Sequence, residues 1–566
     1  MSKKNTYLSQ SSRQPLPSLT GKATGRRAPL GRSTFGRFDT SKNGVWGWVF
    51  IFLISCTSRP TSIPTTFTEL TDSAVIYPDY RDVTVPPNIA PMNFMVRDAS
   101  ASEFVVEMGD VVTGATEDGK FDIDSTAWRK LLTGAKGKDI TVNIYGHREN
   151  GWVRYVPYRL HVAEEDIDGY LSYRLIEPGY ELYRQIGLYQ RNLSNFDEAV
   201  IYENNRKFDN DNNHCVNCHN YQAYDTERML FHVRAAHGGT IIVNGSEAHK
   251  IAIKHDSILG AGVYPTWHPT LPLVAFSSNK TGQVFHIYHP EKIEVLDEAS
   301  DLILYDAEAN TVRNILRTTN DLETFPCWAP DGRRLYYCSA RMPSALIDNY
   351  STEMMAQSYD SLMYNVYSMS FDPDTRTFGA PQLEVDAVSM GKSASVPRVS
   401  PDGKYLLFTL GDYGQFHIWH KSADLWVKRP TPNPSRKGGE LASAQLSSDS
   451  EALPLAGERG EGLYPLTEAN APNVPDSYHS WSSNGRWIVF ASRRDDGNFS
   501  RAFIAYFDRD GQAHRAFMLP QRDPEYNTLL LKSYNVPELT KSAVQVSFET
   551  LKHVVYHTEA EAAAYQ

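Results

Sequence analysis

"VPRVSPDGKYLLFTL" (Val396–Leu410) reads as a strand, a tight turn and a second strand that alternates apolar and polar residues. Gly403 supplies the positive φ that a short hairpin needs, and Pro401 sets the turn just before Asp402. Three more stretches share this shape: "YPTWHPTLPLVAFSS" (Tyr264–Ser278), "FPCWAPDGRRLYYCS" (Phe325–Ser339) and "YHSWSSNGRWIVFAS" (Tyr478–Ser492). The equivalent positions Trp267, Trp328, Val399 and Trp481 are 61, 71 and 82 residues apart. Repeated hairpins at such intervals predict a β-propeller with insertions, because a blade takes roughly forty to fifty residues. One insertion is plain: Lys428–Gly462 is rich in Pro, Gly and Ser and has no apolar period. It looks like the product of a dispersed genomic repeat that has landed in a loop. Without it the last interval shrinks to about the length of one blade. The propeller is expected over residues 238–537, with 538–566 as a C-terminal tail.

Upstream, "VVEMGD" (Val105–Asp110) and the segment Asp139–Pro178 alternate apolar and polar residues around the turn His147-Arg-Glu-Asn-Gly151. They predict a β-sandwich over residues 65–180. The tyrosine-rich run Gly179–Asn204 reads as helical or mixed, so residues 181–237 are expected to form a short helical segment.

The chain is 566 residues long with a net charge of −11, and its charge is uneven. Residues 1–55 hold nine Lys or Arg and a single acid, Asp39, so the remainder is strongly acidic. An acidic body repels phosphate backbones, which argues against nucleic acid as a partner. "KNGVWGWVFIFLISCTSRPTS" (Lys42–Ser62) has a basic flank and an apolar run from Val45 to Ile54, too short to span a bilayer but suited to a signal peptide. Leu53-Ile54-Ser55-Cys56 resembles the lipobox of bacterial lipoproteins. That resemblance implies removal of residues 1–55, acylation of Cys56 and a tether over 56–64. The basic part before the apolar run is far longer than a signal peptide needs.

Export allows both disulfides and covalent haem. Cys215-Val-Asn-Cys218-His219 has the C-x-x-C-H spacing of c-type haem attachment, in which two thiols bond the porphyrin and the adjoining His ligates iron. A zinc site would need further ligands, with His214, His232 and His237 on offer. One haem c per chain is expected, held by Cys215 and Cys218, with His219 as axial iron ligand. The candidates for the sixth ligand are His232, His237 and Met229, on a segment read as helical. Cys327 and Cys338 flank a hairpin centred on Asp331. That centring sets Cys327 opposite Leu335, so a disulfide requires an irregular register and buried free thiols are the plainer reading.

The S-P-D-G-K turn followed by Tyr405-Leu-Leu-Phe408 resembles TolB-type β-propellers, which bind partners. Together with the C-x-x-C-H motif it resembles bacterial exported lipoproteins described as haem-binding and TolB-like. The resemblance covers Tyr77 to Pro537 and is strongest in "YPDYRDVTVPPNIAPMNF", in "CVNCHN" with "RMLFHVRAAHGGT", and in "DSYHSWSSNGRWIVFASRRDDG". It implies six blades and a periplasmic or outer-membrane-attached protein. The expected role is one-electron transfer to an unknown redox or envelope protein, with an interaction scaffold or haem sensor as the alternative. A hydrolase ranks last, since G-x-S-x-G is absent. Peroxide chemistry would need an open iron beside His232 and Arg234.

Overall fold

The computed structural model describes residues 62–177, 185–204, 214–286, 289, 291–344, 347, 357–429 and 462–566. Residues 1–61, with the expected signal sequence and Cys56, and most of the 428–462 insertion lie outside them. Among the described residues no helix is long and apolar enough to cross a membrane.

Six sheets form a β-propeller. Their innermost strands are Ser533–Thr540 (blade 1), His214–Gln222 (blade 2), Gly262–Trp267 (blade 3), Asp321–Trp328 (blade 4), Ser393–Val399 (blade 5) and Asp476–Trp481 (blade 6). Each touches the next around a common axis. Blade 1 closes the ring. Its outer strands Tyr170–Ile176, Ile186–Asn192 and Glu198–Glu203 come from the N-terminal side, and its innermost strand comes from the far end of the chain, with Leu171 opposite Leu539.

The repeated turn forms as its residues require. In blade 5 the Ser400 hydroxyl accepts from the Tyr405 N–H at 3.0 Å, the Asp402 carboxylate accepts from the Lys404 N–H, and Gly403 has φ +72°. Blade 6 repeats it with Ser482, Asn484 and Gly485. The short polar side chains occupy the backbone groups that a two-strand ladder leaves over at its turn.

Each innermost strand carries a bulge around one residue in the left-handed region: Val536, Cys218, Tyr264, Phe325, Val396 and Tyr478, with φ between +47° and +54°. The bulge breaks the period of two and turns those six side chains toward the axis. A proline follows in four cases (Pro537, Pro265, Pro326, Pro397), where the interrupted ladder needs no N–H. His219 and His479 take that position in the other two.

Several expectations change. Residues 214–237 are not helical: His214–Gln222 and Asp225–Ala235 are the first two strands of blade 2, and Ile186–Asn192 and Glu198–Glu203 belong to blade 1. Successive residues face opposite neighbours, with Met229, Phe231 and Val233 in the core shared with blade 1 and Leu230 in the core shared with blade 3, which decides for strand. Nor is the N-terminal region a sandwich. Thr68–Val162 forms one seven-stranded mixed sheet, and its second layer is the helix Ser125–Gly134 together with blade 6. Asp124 caps the helix, accepting from the Ala127 N–H at 2.8 Å, and Trp128 and Leu132 point into a core shared with Trp487, Val489 and Ile504. Besides the seven-stranded sheet there is only a two-stranded ribbon among the described residues of this region, Ile76–Tyr77 with Met95–Val96, because blade 6 covers the face that a second large sheet would take. Residues 538–566 are more than a tail. They finish the closing strand, pack a helix (Phe548–His557) on blades 1 and 2, and add parallel edge strands to blades 2 and 3. Cys327 and Cys338 are buried and free, with Cys327 opposite Tyr336, one residue from the expected register.

Candidate functional site

The six left-handed residues line a cavity of about 1080 Å³ at the propeller axis. One wall is a hairpin of blade 3, Leu273–Phe285 and Ile293–Asp306, much longer than its six-residue inner neighbour. Its extension turns Thr281, Gln283 and Phe285, with Ile293 and Val295, to the cavity. Phe416, Ile418 and Trp419 of blade 5 form much of another wall. The space is at the upper end of small-molecule sites, and its lining is mainly aromatic and aliphatic.

Cys215, Cys218 and His219 all line it. Both thiols are free, and burial raises the Cys215 thiol against the pull of Arg174 and Arg234. His219 is 4 % exposed, and burial, with Arg174 nearby, lowers its imidazole to about 3, so it is neutral. The backbone of Val536 is its hydrogen-bond partner, while its Nε2 is buried without one, 3.9 Å from Glu538. His479 fills the same place in blade 6, also buried and with Nε2 unpartnered. What distinguishes His219 is its access to the cavity and the two thiols beside it.

Register puts Arg234 opposite Cys215 and His232 opposite Asn217, so these pairs share the cavity face of blade 2. His232 is neutral, lowered to about 3 by burial, and its Nδ1 lies 3.1 Å from the Thr240 hydroxyl. Met229 lies on the opposite face, fully buried in the core between blades 1 and 2. His237 lies beyond the end of the strand, against Tyr556 and His214, away from the cavity. His214 meets the Tyr202 hydroxyl at 2.7 Å and also stays outside. Among the described residues, the thiols and imidazoles of the cavity do not converge tightly enough to share one metal ion.

The cavity's charge could not be read from the order of residues. Arg174, Arg234, Arg398, Arg493 and Lys292 line it, against one carboxylate, Glu177. Among the described residues none of the four arginines forms an ion pair. Arg493 is 5 % exposed; its Nε donates to the Ile418 carbonyl at 2.7 Å, its guanidinium lies 3.3 Å from the Trp419 ring centre, and burial pushes it down to about 9. The Nε of Arg174 is buried without a partner. A group of arginines without a direct ion pair among the described residues, in an acidic chain, makes this an anion-seeking cavity.

The distinctive N-terminal stretch also reaches the propeller, since the Tyr77 hydroxyl donates to Asp495 at 3.0 Å. Tyr77 belongs to a two-stranded ribbon, Ile76–Tyr77 with Met95–Val96, so the contact ties that ribbon to blade 6 and lies outside the cavity.

No protein-family model and no curated protein sequence matches the chain. Among solved structures it is similar to a prolyl endopeptidase at 9% identity and a TM-score of 0.29. That match covers 62% of this chain and 42% of the endopeptidase, so the chain spans less than half of that protein's length.

Proposed function

We propose that this six-bladed propeller is an exported c-type haem protein that carries one electron, with the propeller as the surface on which a redox or envelope partner docks. The observation that carries this reading is the placement of Cys215, Cys218 and His219 on one wall of a large, mainly apolar cavity, with the Nε2 of His219 buried and unpartnered. The residues fit the group. The two thiols are free to form thioether bonds, His219 is neutral as an iron ligand must be, and the aromatic walls suit a flat macrocycle. The unpaired arginines match its two carboxylates. His232 is the second neutral imidazole in the cavity and the candidate for the sixth position. A haem bound there supplies a one-electron ferric/ferrous couple. The chain's own contribution is to hold the ring away from water, neutralise its carboxylates and keep both imidazoles uncharged. Lipid attachment at Cys56 and a TolB-like place in the cell envelope belong to the same proposal.

The test is chemical. Full-length protein matured with a haem c assembly system should retain haem through acid-acetone extraction, and Cys215→Ala/Cys218→Ala should carry none. In the reduced and oxidised spectra, His232→Ala should convert a low-spin iron to high-spin. Haem that extracts freely, or none in the wild type, would overturn the assignment and leave a propeller whose fold can serve as an interaction scaffold.

A further inference from the structure

The pentapeptide Phe-His-Ile-aromatic-His occurs twice, as Phe285–His289 in the long hairpin of blade 3 and as Phe416–His420 in blade 5. The fold brings the two regions together beside the cavity. Glu291 and Glu294 follow the first copy, and their carboxylate oxygens and a ring nitrogen of His420 all lie within 4.8 Å of one another.

These groups are poorly neutralised. Glu294 is 1 % exposed and His420 is fully buried, with His420 Nε2 2.8 Å from Glu294 Oε2. A single phenol serves both acids: the Tyr413 O–H donates to Glu291 and lies 3.1 Å from Glu294 Oε1. The Lys421 N–H donates to Glu291 at 3.2 Å, but neither Lys421 nor Lys292 pairs with either acid. Two adjacent carboxylates, Glu294 buried and Glu291 largely so, with one shared phenol, a backbone N–H and imidazoles but no Lys or Arg beside them, are unfavourable unless a cation joins them. Two ring nitrogens beside the cluster are also unsatisfied. The Nδ1 of His420 and the Nε2 of His286 are buried with no hydrogen-bond partner. His417 is different: its two nitrogens meet the Ser395 hydroxyl and the Tyr413 carbonyl, which makes it a support and not a ligand.

We propose that Glu291, Glu294 and His420 bind a divalent transition-metal ion of the zinc class, tying the blade 3 hairpin to blade 5 at the cavity wall. One imidazole and two carboxylates, with room for water, are a donor set that zinc and manganese accept and that calcium or magnesium, which prefer oxygen alone, do not favour. Phe285, Lys292 and Ile293 on the same hairpin line the cavity, so the ion would hold that wall in place.

Chelator-stripped full-length protein is titrated with Zn²⁺ against a chromogenic competitor, in the wild type and in Cys215→Ala/Cys218→Ala, which separates this site from the thiols. One Zn²⁺ per chain is expected in both, and Glu294→Gln or the less buried Glu291→Gln should weaken it by more than about tenfold. Co²⁺ in the same site should give d–d bands without a thiolate charge-transfer band. Unchanged affinity in both Gln variants, binding lost with the cysteines, or no stoichiometric binding in folded protein overturns the proposal. None of these results depends on whether haem is attached.

Discussion

Glu323 should make the protein less stable as pH rises through neutrality. Its side chain is 1 % exposed on the innermost strand of blade 4; Oε1 accepts from the Thr318 hydroxyl at 2.7 Å and Oε2 has no partner. Burial, reinforced by Asp301 and Asp321, raises its carboxyl from 4.5 to about 8. Between those values the folded chain holds a proton that the unfolded chain has released, so stability is full below 4.5 and falls as pH climbs to 8. At ~1.4 kcal/mol per pH unit, the gap amounts to a loss of up to about 5 kcal/mol by the top of that window. Glu323→Gln removes the titration while keeping the shape. Urea unfolding of both proteins from about pH 5 to about pH 8.5 should show near-equal stability at the acid end and a growing advantage for the variant above neutrality. Other buried acids titrate alike in both proteins, so the difference isolates this carboxyl. Parallel curves would mean that Glu323 is ionised and solvated in the fold.

Gly332 has φ +67°, and a Cβ there would lie 2.5 Å from the His268 ring, so Gly332→Ala should cost about 2–3 kcal/mol in urea unfolding. Gly403→Ala has a similar φ but nothing nearer than 3.7 Å, and should cost about 1 kcal/mol; equal losses would show that the His268 contact is relieved without penalty. Lys428 and Leu463 are register partners, so replacing residues 429–462 by Asn-Gly should leave a hairpin. Thermal unfolding should then be nearly unchanged, and a fall of several degrees would show that the excised segment packs.

The hairpin motif made four blades visible because the turn chemistry is local: in blades 4, 5 and 6 a Ser or Ala, a short polar residue and a Gly fall within four positions, and in blade 3 His268-Pro-Thr-Leu-Pro272 turns the chain between the same two apolar strands. The other two escaped for physical reasons. Cys218-His-Asn-Tyr221 occupies the place of Tyr264-Pro-Thr-Trp267, but its residues also spell a haem signature, and the turn after it lacks the Asp-Gly pair. Val536-Pro-Glu-Leu539 carries the same pattern with no hairpin following, because its partner strand is Tyr170–Ile176. The candidate thiols and His219 were legible as a pentapeptide. The surrounding arginines were not, since Arg174, Arg234, Arg398 and Arg493 belong to four different blades and meet only at the axis. Met229 and His232 were both candidates on a segment read as helical, where residues three apart share a face; a strand sends Met229 to the core and His232 to the cavity.

The seam in blade 1 has a consequence in time. Arg174 and Asn535 are joined across 361 residues of chain, and bringing ends so distant together carries a loop-closure term of about 5 kcal/mol before any contact repays it. The ring therefore cannot shut until nearly the whole polypeptide has been delivered, however early the other blades form. Until then Tyr170–Ile176 is an unpaired edge, the kind of surface that recruits a stranger's strand. The strand bearing Cys215 and Cys218 stands directly beside this gap, packed against Ser533–Thr540 only once it has closed. Anything large that must reach those thiols has a second way in, between the blades, while the chain is being made, and afterwards only the cavity at the axis.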